Sequence, residues 1–155
     1  MTDSNSPRRS LGDLMQDFIG RVAHRSGNTL MIMSEASVTL HQIILLNRLL
    51  ELGETTVSAL AVALGMSLPS VSQMVDRLHR LGLVTREELH SDRRKKQVKL
   101  TVAGHQLLDR LREARSMEFE IGTMSLPASL RAELAELLSR ALAELEQRTV
   151  AELVS

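Results

Sequence analysis

Along the stretch SLPSVSQMVDRLHRLG, residues 67–82, Ser70, Ser72, Gln73, Arg77 and Arg80 alternate with Val71, Met74, Val75, Leu78 and Leu81. The apolar set follows the 3-, 4- and 7-residue spacing of a helix buried along one side. The other side carries hydroxyls, a carboxamide and cations, with Pro69 in the first turn. Such groups can touch base edges in a DNA major groove: glutamine pairs bidentately with adenine, and serine serves several bases. A second candidate follows in HSDRRKK, residues 90–96, where Arg93, Arg94, Lys95 and Lys96 run together. A cation inserted into a narrow minor groove gains from its enhanced negative potential. Arg77 and Arg86 suit phosphates better than bases and would position the domain without reading sequence. Each feature also has a plainer reading, as a solvated helix face and a solvated hairpin tip.

The elements around these residues are those that DNA recognition needs. Thr55 or Thr56 caps a short helix with Val57, Leu60, Ala61 and Leu64 inward, and Gly65 ends it. Only Met66 separates it from Ser67, the cap of the next helix, whose first turn tolerates Pro69 because an N–H is dispensable there. Two short helices joined by a glycine-containing turn make a helix-turn-helix. LVTREEL (83–89) and QVKLT (97–101) are β-suited runs flanking HSDRRKK, and a hairpin placed there is a wing.

Outside residues 55–101 the chain reads as helical. A first helix begins near Ser10 and its apolar pattern, starting with Leu11, Leu14, Met15, Phe18, Ile19 and Val22, continues to about Met33. Thr39 and Gln42 form a capping box for a second, central helix ended by Gly53. Thr101 caps a helix running to about Gly122, and a final helix carries Leu130, Leu134, Leu137, Leu138, Ala141 and Leu145 on one stripe. Roughly 27 residues at about 1.5 Å each give a rod of about 40 Å, longer than a small winged domain covers. A second copy of the chain, contributing its own first and last helices, is the simplest partner for the excess. The expected fold is mainly α with a small β-hairpin wing. A lead-in at 1–9 is expected to be disordered. A single domain over 10–155 divides into dimerisation helices (10–36 and 124–155), a DNA-binding lobe (39–101) and a connecting helix (102–122).

Composition is compatible with that reading. The 155 residues carry no cysteine, only two aromatic residues (Phe18 and Phe119), and no net charge. From Gly65 to Lys99, however, eight Lys or Arg face four acids, whereas from Met124 onward three Arg face five Glu. Phosphates feel the local face and not the sum. The absence of cysteine excludes disulfides, thiolate-bound metals and a thiol switch. With no apolar run of membrane-spanning length and no signal-like N-terminus, the expected location is cytoplasmic, without a membrane partner.

Over Thr56 to Leu108, and most specifically in VSQMVDRLHRLGLVTREELHSDRRKKQVKLTVAGHQLL, the sequence resembles the MarR family of bacterial transcriptional regulators. The resemblance implies a winged helix-turn-helix homodimer on a pseudo-palindromic operator, often a repressor released by a small ligand. It maps the family's wing pair onto Asp92, which would hold the hairpin, and Arg94, which would enter the minor groove. It maps the recognition surface onto Pro69, Ser70, Ser72, Gln73 and Arg77, with Ser67 at the cap. Many members carry a basic residue where this chain has Gln73, so the operator is expected to differ.

The same residues bear on other functional classes. A metal-responsive regulator of the same fold would draw on His105, Asp109 and His41, but no HxxxH or cysteine supports it, and no cofactor or metal is expected. Met15, Met31 and Met33 could line an effector pocket or simply fill core space. No phosphate-binding glycine loop, GxSxG or cysteine nucleophile suggests an enzyme. A helical interaction module whose basic hairpin binds an acidic protein is the remaining alternative. The partners expected are double-stranded DNA, a second copy and a small-molecule effector.

Overall fold

A computed structural model describes the backbone of residues 9–23, 27–89 and 92–154, and the side chains of 9–23, 27–87 and 97–147. Helix starts follow from side chains that satisfy N–H groups lacking intrahelical acceptors. Ser10 opens α1 (Leu11–Val22) in a capping box with Asp13. α2 (Asn28–Glu35) begins after Gly27 with no side-chain cap. Thr39 and Gln42 form the second capping box, at the start of α3 (Leu40–Leu52). A two-residue strand, β1 (Thr55–Thr56), leads into α4 (Val57–Leu64), whose cap is Thr56 itself. Ser67 caps α5 (Leu68–Arg80), with Pro69 in its first turn. The hairpin consists of β2 (Val84–Leu89) and β3 (Asp92–Leu100), and the chain ends in α6 (Val102–Thr123) and α7 (Ala128–Val154).

Three elements differ from the sequence expectation. The first helix is not continuous to Met33; Ala23 ends α1 and Gly27 starts α2. Gly27 and Asn28 are turn-forming residues, and their local chemistry overrides the apolar periodicity that runs across them. The strand β1 was not anticipated; it pairs Thr55 with Val98 and Thr56 with Gln97, making an antiparallel sheet in the order β1-β3-β2. Two residues are too few to show a period, so such a strand is specified by its partner. Finally, β3 starts at Asp92, so Asp92, Arg93, Arg94, Lys95 and Lys96 lie within a strand and not in a connection. Pairing of Glu88 with Lys96 and Leu89 with Asp92, across an irregularity at Glu88 and Leu89, carries the strand that far.

The chain divides into two compact units, Met1–Arg25 with Glu118–Ser155, and Ser26–Met117. The second unit holds a core in which Leu45, Leu46 and Leu49 of α3 are joined by Leu60, Val71, Val75, Leu78, Val84 and Val98, all essentially inaccessible. Burying each such side chain is worth ~1.5–3 kcal/mol, enough to fix α5 along its inner face. Leu107, Leu108, Leu111 and Ala114 of α6 close the same core.

In the first unit α1 and the end of α6 approach backbone to backbone. A Cβ on Gly122 would lie 2.5 Å from the Val22 carbonyl oxygen. Much apolar surface here is uncovered: Leu11, Leu14 and Ile19 of α1 and Leu137, Leu142 and Leu145 of α7 are each at least 46% exposed.

Candidate nucleic-acid interface

The α4–α5 pair is held by local chemistry at the turn. Gly65 ends α4 in the left-handed region (φ 61°, ψ 30°), where residues with a Cβ are strained. Its N–H and that of Met66 return to the Val62 and Ala61 carbonyls, and Ser67 then starts α5. Ser67 Oγ accepts the Ser70 N–H and lies 2.7 Å from Ser70 Oγ. Beyond this turn α5 buries Val71, Val75 and Leu78 completely, and thereby turns Pro69, Gln73, Asp76, Arg77 and Arg80 outward. Ser72 is half-buried on the flank of that face. The sequence-predicted group Ser67, Pro69, Ser70, Ser72, Gln73 and Arg77 is thus gathered on one helix, with two of its hydroxyls engaged on each other.

Arg86 is placed differently from its neighbours. Its guanidinium pairs with the Asp76 carboxylate and is only 19% exposed, and its Nε is buried with no acceptor among the described residues. His79 Nδ1 donates to the Val84 carbonyl over 3.0 Å. Two links, an ion pair and a side-chain-to-backbone hydrogen bond, therefore join the last turns of α5 to the base of β2. Sequence reasoning had no signal for the Asp76–Arg86 pair, since the two are separated by a turn of unknown geometry. We expect Asp76→Ala and Arg86→Ala to couple by ~1–2 kcal/mol in a double-mutant cycle of chemical denaturation. That is below the full worth of a buried pair because Asp76 is half exposed. Additive single-variant losses would mean that the pair carries no coupling.

The wing's base is clasped to α6 through Thr101. Its hydroxyl donates to the Gly82 carbonyl over 2.7 Å and accepts the Gly104 N–H, while its N–H donates to the Leu83 carbonyl. On the hairpin, the Lys99 ammonium donates to Glu87 Oε1 over 2.9 Å, and that hydrogen bond, with the carboxylate's charge, raises the Lys99 pKa. The backbone of Asp92, Arg93, Arg94, Lys95 and Lys96 runs in β3; their side chains lie outside the described residues.

The second unit also contains a cavity of about 300 Å³ between α2, α3 and α6. Met33, Ile43, Ile44 and Leu108 form its apolar wall, and Thr29, Asn47, Arg112 and Arg115 its polar edge. Of the three methionines considered from sequence, only Met33 lines it; Met15 and Met31 are exposed elsewhere. Among the described residues, no three of His, Cys, Asp and Glu come together as a metal site would require. No helix among them is long and apolar enough to cross a membrane.

A sequence model of the MarR family matches residues 36–95, which span α3, the helix-turn-helix and the hairpin as far as Lys95. Over this segment the chain is similar to the MarR family. Solved structures extend the likeness of fold to most of the chain. The reduced form of MarR from E. coli is 25% identical, with a TM-score of 0.64 over 88% of this chain and 99% of that one. The transcriptional regulator Tm0710 from Thermotoga maritima is 21% identical, with a TM-score of 0.71 over 87% and 93%. A mutant of MepR from S. aureus, bound to an oligodeoxyribonucleotide, is 19% identical, with a TM-score of 0.65 over 88% and 99%. MarR-family proteins are DNA-binding transcriptional regulators, and the winged helix seen here is the MarR fold. In that fold α4 and α5 make the helix-turn-helix and β2–β3 the wing.

Proposed function

We infer that this protein is a sequence-specific transcriptional regulator that binds a pseudo-palindromic operator as a homodimer. The observation that carries the reading is the two-sidedness of α5: one side is locked into the core, and the other offers Ser72, Gln73, Arg77 and Arg80 to a groove. Gln73 and Ser72 are assigned to base edges and Arg77 to phosphate. Arg94 is assigned to the minor groove, with Arg93, Lys95 and Lys96 on flanking phosphates and Asp92 holding the hairpin. Arg86, tied to Asp76, is assigned to setting the angle between α5 and the wing.

The exposed leucines of α1 and α7 favour a second copy as their partner, since both helices leave apolar side chains for another surface to cover. Two recognition helices would then enter successive major grooves about 34–36 Å apart. The 300 Å³ cavity, at the lower end of small-molecule sites, is the candidate for an effector with an apolar body and an anionic group facing Arg112 and Arg115. Such a ligand regulates only as far as it prefers one spacing of the helices over another.

The test is selection of bound sequences from random duplex DNA at near-physiological salt, followed by affinity measurements across ionic strength. An inverted repeat of about one-turn spacing is expected. Its log–log salt slope should be roughly 0.9 per neutralised phosphate. Equal binding to all duplexes would instead favour a basic hairpin made for an acidic protein partner.

A further inference from the structure

The turn between α4 and α5 lies outside the core, since Gly65, Met66 and Ser67 are all exposed. Its backbone satisfies only part of the C-terminal end of α4. The N–H groups of Gly65 and Met66 return to the Val62 and Ala61 carbonyls, but no such bond reaches the Ala63 carbonyl among the described residues. That oxygen is served from outside the motif. Arg48 Nη2, on α3, donates to it over 3.2 Å, while Nη1 of the same guanidinium holds Glu51 Oε2 at 2.7 Å. The rigid fork suits this task, because a carboxylate fixes one arm as the other reaches across. A cation is also favoured at the negative end of a helix dipole. Among the described residues this is the one side-chain hydrogen bond between α3 and the α4–α5 pair.

We propose that Arg48 is a positioning residue for operator recognition: it fixes the end of α4, and with it the point where α5 starts, without itself touching DNA. The proposal rests on the DNA-binding reading and adds to it a residue outside the helix-turn-helix. Core packing of Leu60, Val71 and Val75 holds the inner faces of α4 and α5. The exposed turn has no such packing and depends on how its two ends are held. A helix that enters a groove must present Ser72 and Gln73 in one place, and apparent affinity falls in proportion to the fraction of molecules that do so. Releasing the Ala63 carbonyl lowers that fraction before any DNA arrives. The loss is one of preorganisation, so every contact of a half-site weakens together and no single base pair is singled out.

The decisive experiment compares the wild type with Arg48→Met, which keeps the aliphatic stem and removes both donors. Each is titrated with the selected operator and with random duplex across ionic strength. Operator binding is expected to weaken about fivefold per half-site, the worth of one ordinary hydrogen bond. Binding to random duplex and the log–log salt slope should stay as they were. The melting temperature should fall by no more than about 4 °C, which leaves the protein folded where affinity is measured. A salt slope smaller by roughly 0.9 per protomer would mean that Arg48 neutralises a phosphate, and would overturn the proposal. Equal losses on both duplexes would overturn it too, as would unchanged operator binding, which is what a merely fold-stabilising arginine predicts. Each of these results leaves sequence-specific binding standing. A selection that enriches no sequence would overturn both.

Discussion

Gly104→Ala is expected to destabilise the Ser26–Met117 unit by about 3 kcal/mol, measured as a shift of the urea midpoint. A Cβ built at Gly104 meets the Leu83 carbonyl oxygen at 2.3 Å and Leu100 Cδ2 at 3.2 Å. The leucine methyl can move aside, but the carbonyl cannot, because it accepts the Thr101 N–H and belongs to the backbone that enters β2. The first turn of α6 would have to lift by about an ångström, and overpacking of a well-filled site costs typically 1–3 kcal/mol. Gly20 provides the internal control. It lies in α1 with nothing within 4 Å of its would-be Cβ. There alanine should be neutral or stabilise by roughly 0.5–1 kcal/mol. A Gly104→Ala protein as stable as its parent would mean that α6 is not seated on the wing's base.

Gln73→Ala should abolish the preference for one base pair in each half-site. The carboxamide is exposed on the face of α5 opposite Val71, Val75 and Leu78, one turn beyond Pro69. Adenine offers N7 and N6 together in the major groove, the pattern that a carboxamide matches bidentately. Such a pair discriminates by about 1–3 kcal/mol, and two copies in a homodimer would double it over the whole operator. Competition binding with operators altered at single positions checks this. Alanine should flatten the response at one symmetric pair of positions and leave the others as they were. A response that stays steep everywhere would remove Gln73 from base readout and leave Ser70 and Ser72 to carry it.

What could be read from the sequence was whatever local chemistry decides. The caps Ser10, Thr39, Thr56 and Ser67 and the terminators Gly53 and Gly65 are fixed by groups within three or four residues, and each appears where its side chain or φ requires. The outward face of α5 followed from periodicity for the same reason. Non-local pairing was illegible. The two residues of β1 become a strand only because Val98 and Gln97 lie opposite. Asp92 to Lys96 enter β3 only through β2. Arg86 looked like one cation among several until Asp76 came up beside it, a pairing that no spacing in the sequence announces. The break between α1 and α2 lies between these cases: its turn residues were visible, but apolar spacing on both sides outweighed them.

The clasp at Thr101 has a topological consequence. The chain leaves the core at Gly82, runs out along the hairpin, and comes back to the same point, where one hydroxyl bridges Gly82 and Gly104. The excursion between is a closed loop whose two ends are pinned together, so the entropy of closing it depends only logarithmically on its contour length. Residues gained or lost at its far end leave the stem, α5 and α6 in place. The reach of the hairpin is therefore separable from the fold: evolution can lengthen or shorten this arm without renegotiating the core that carries it.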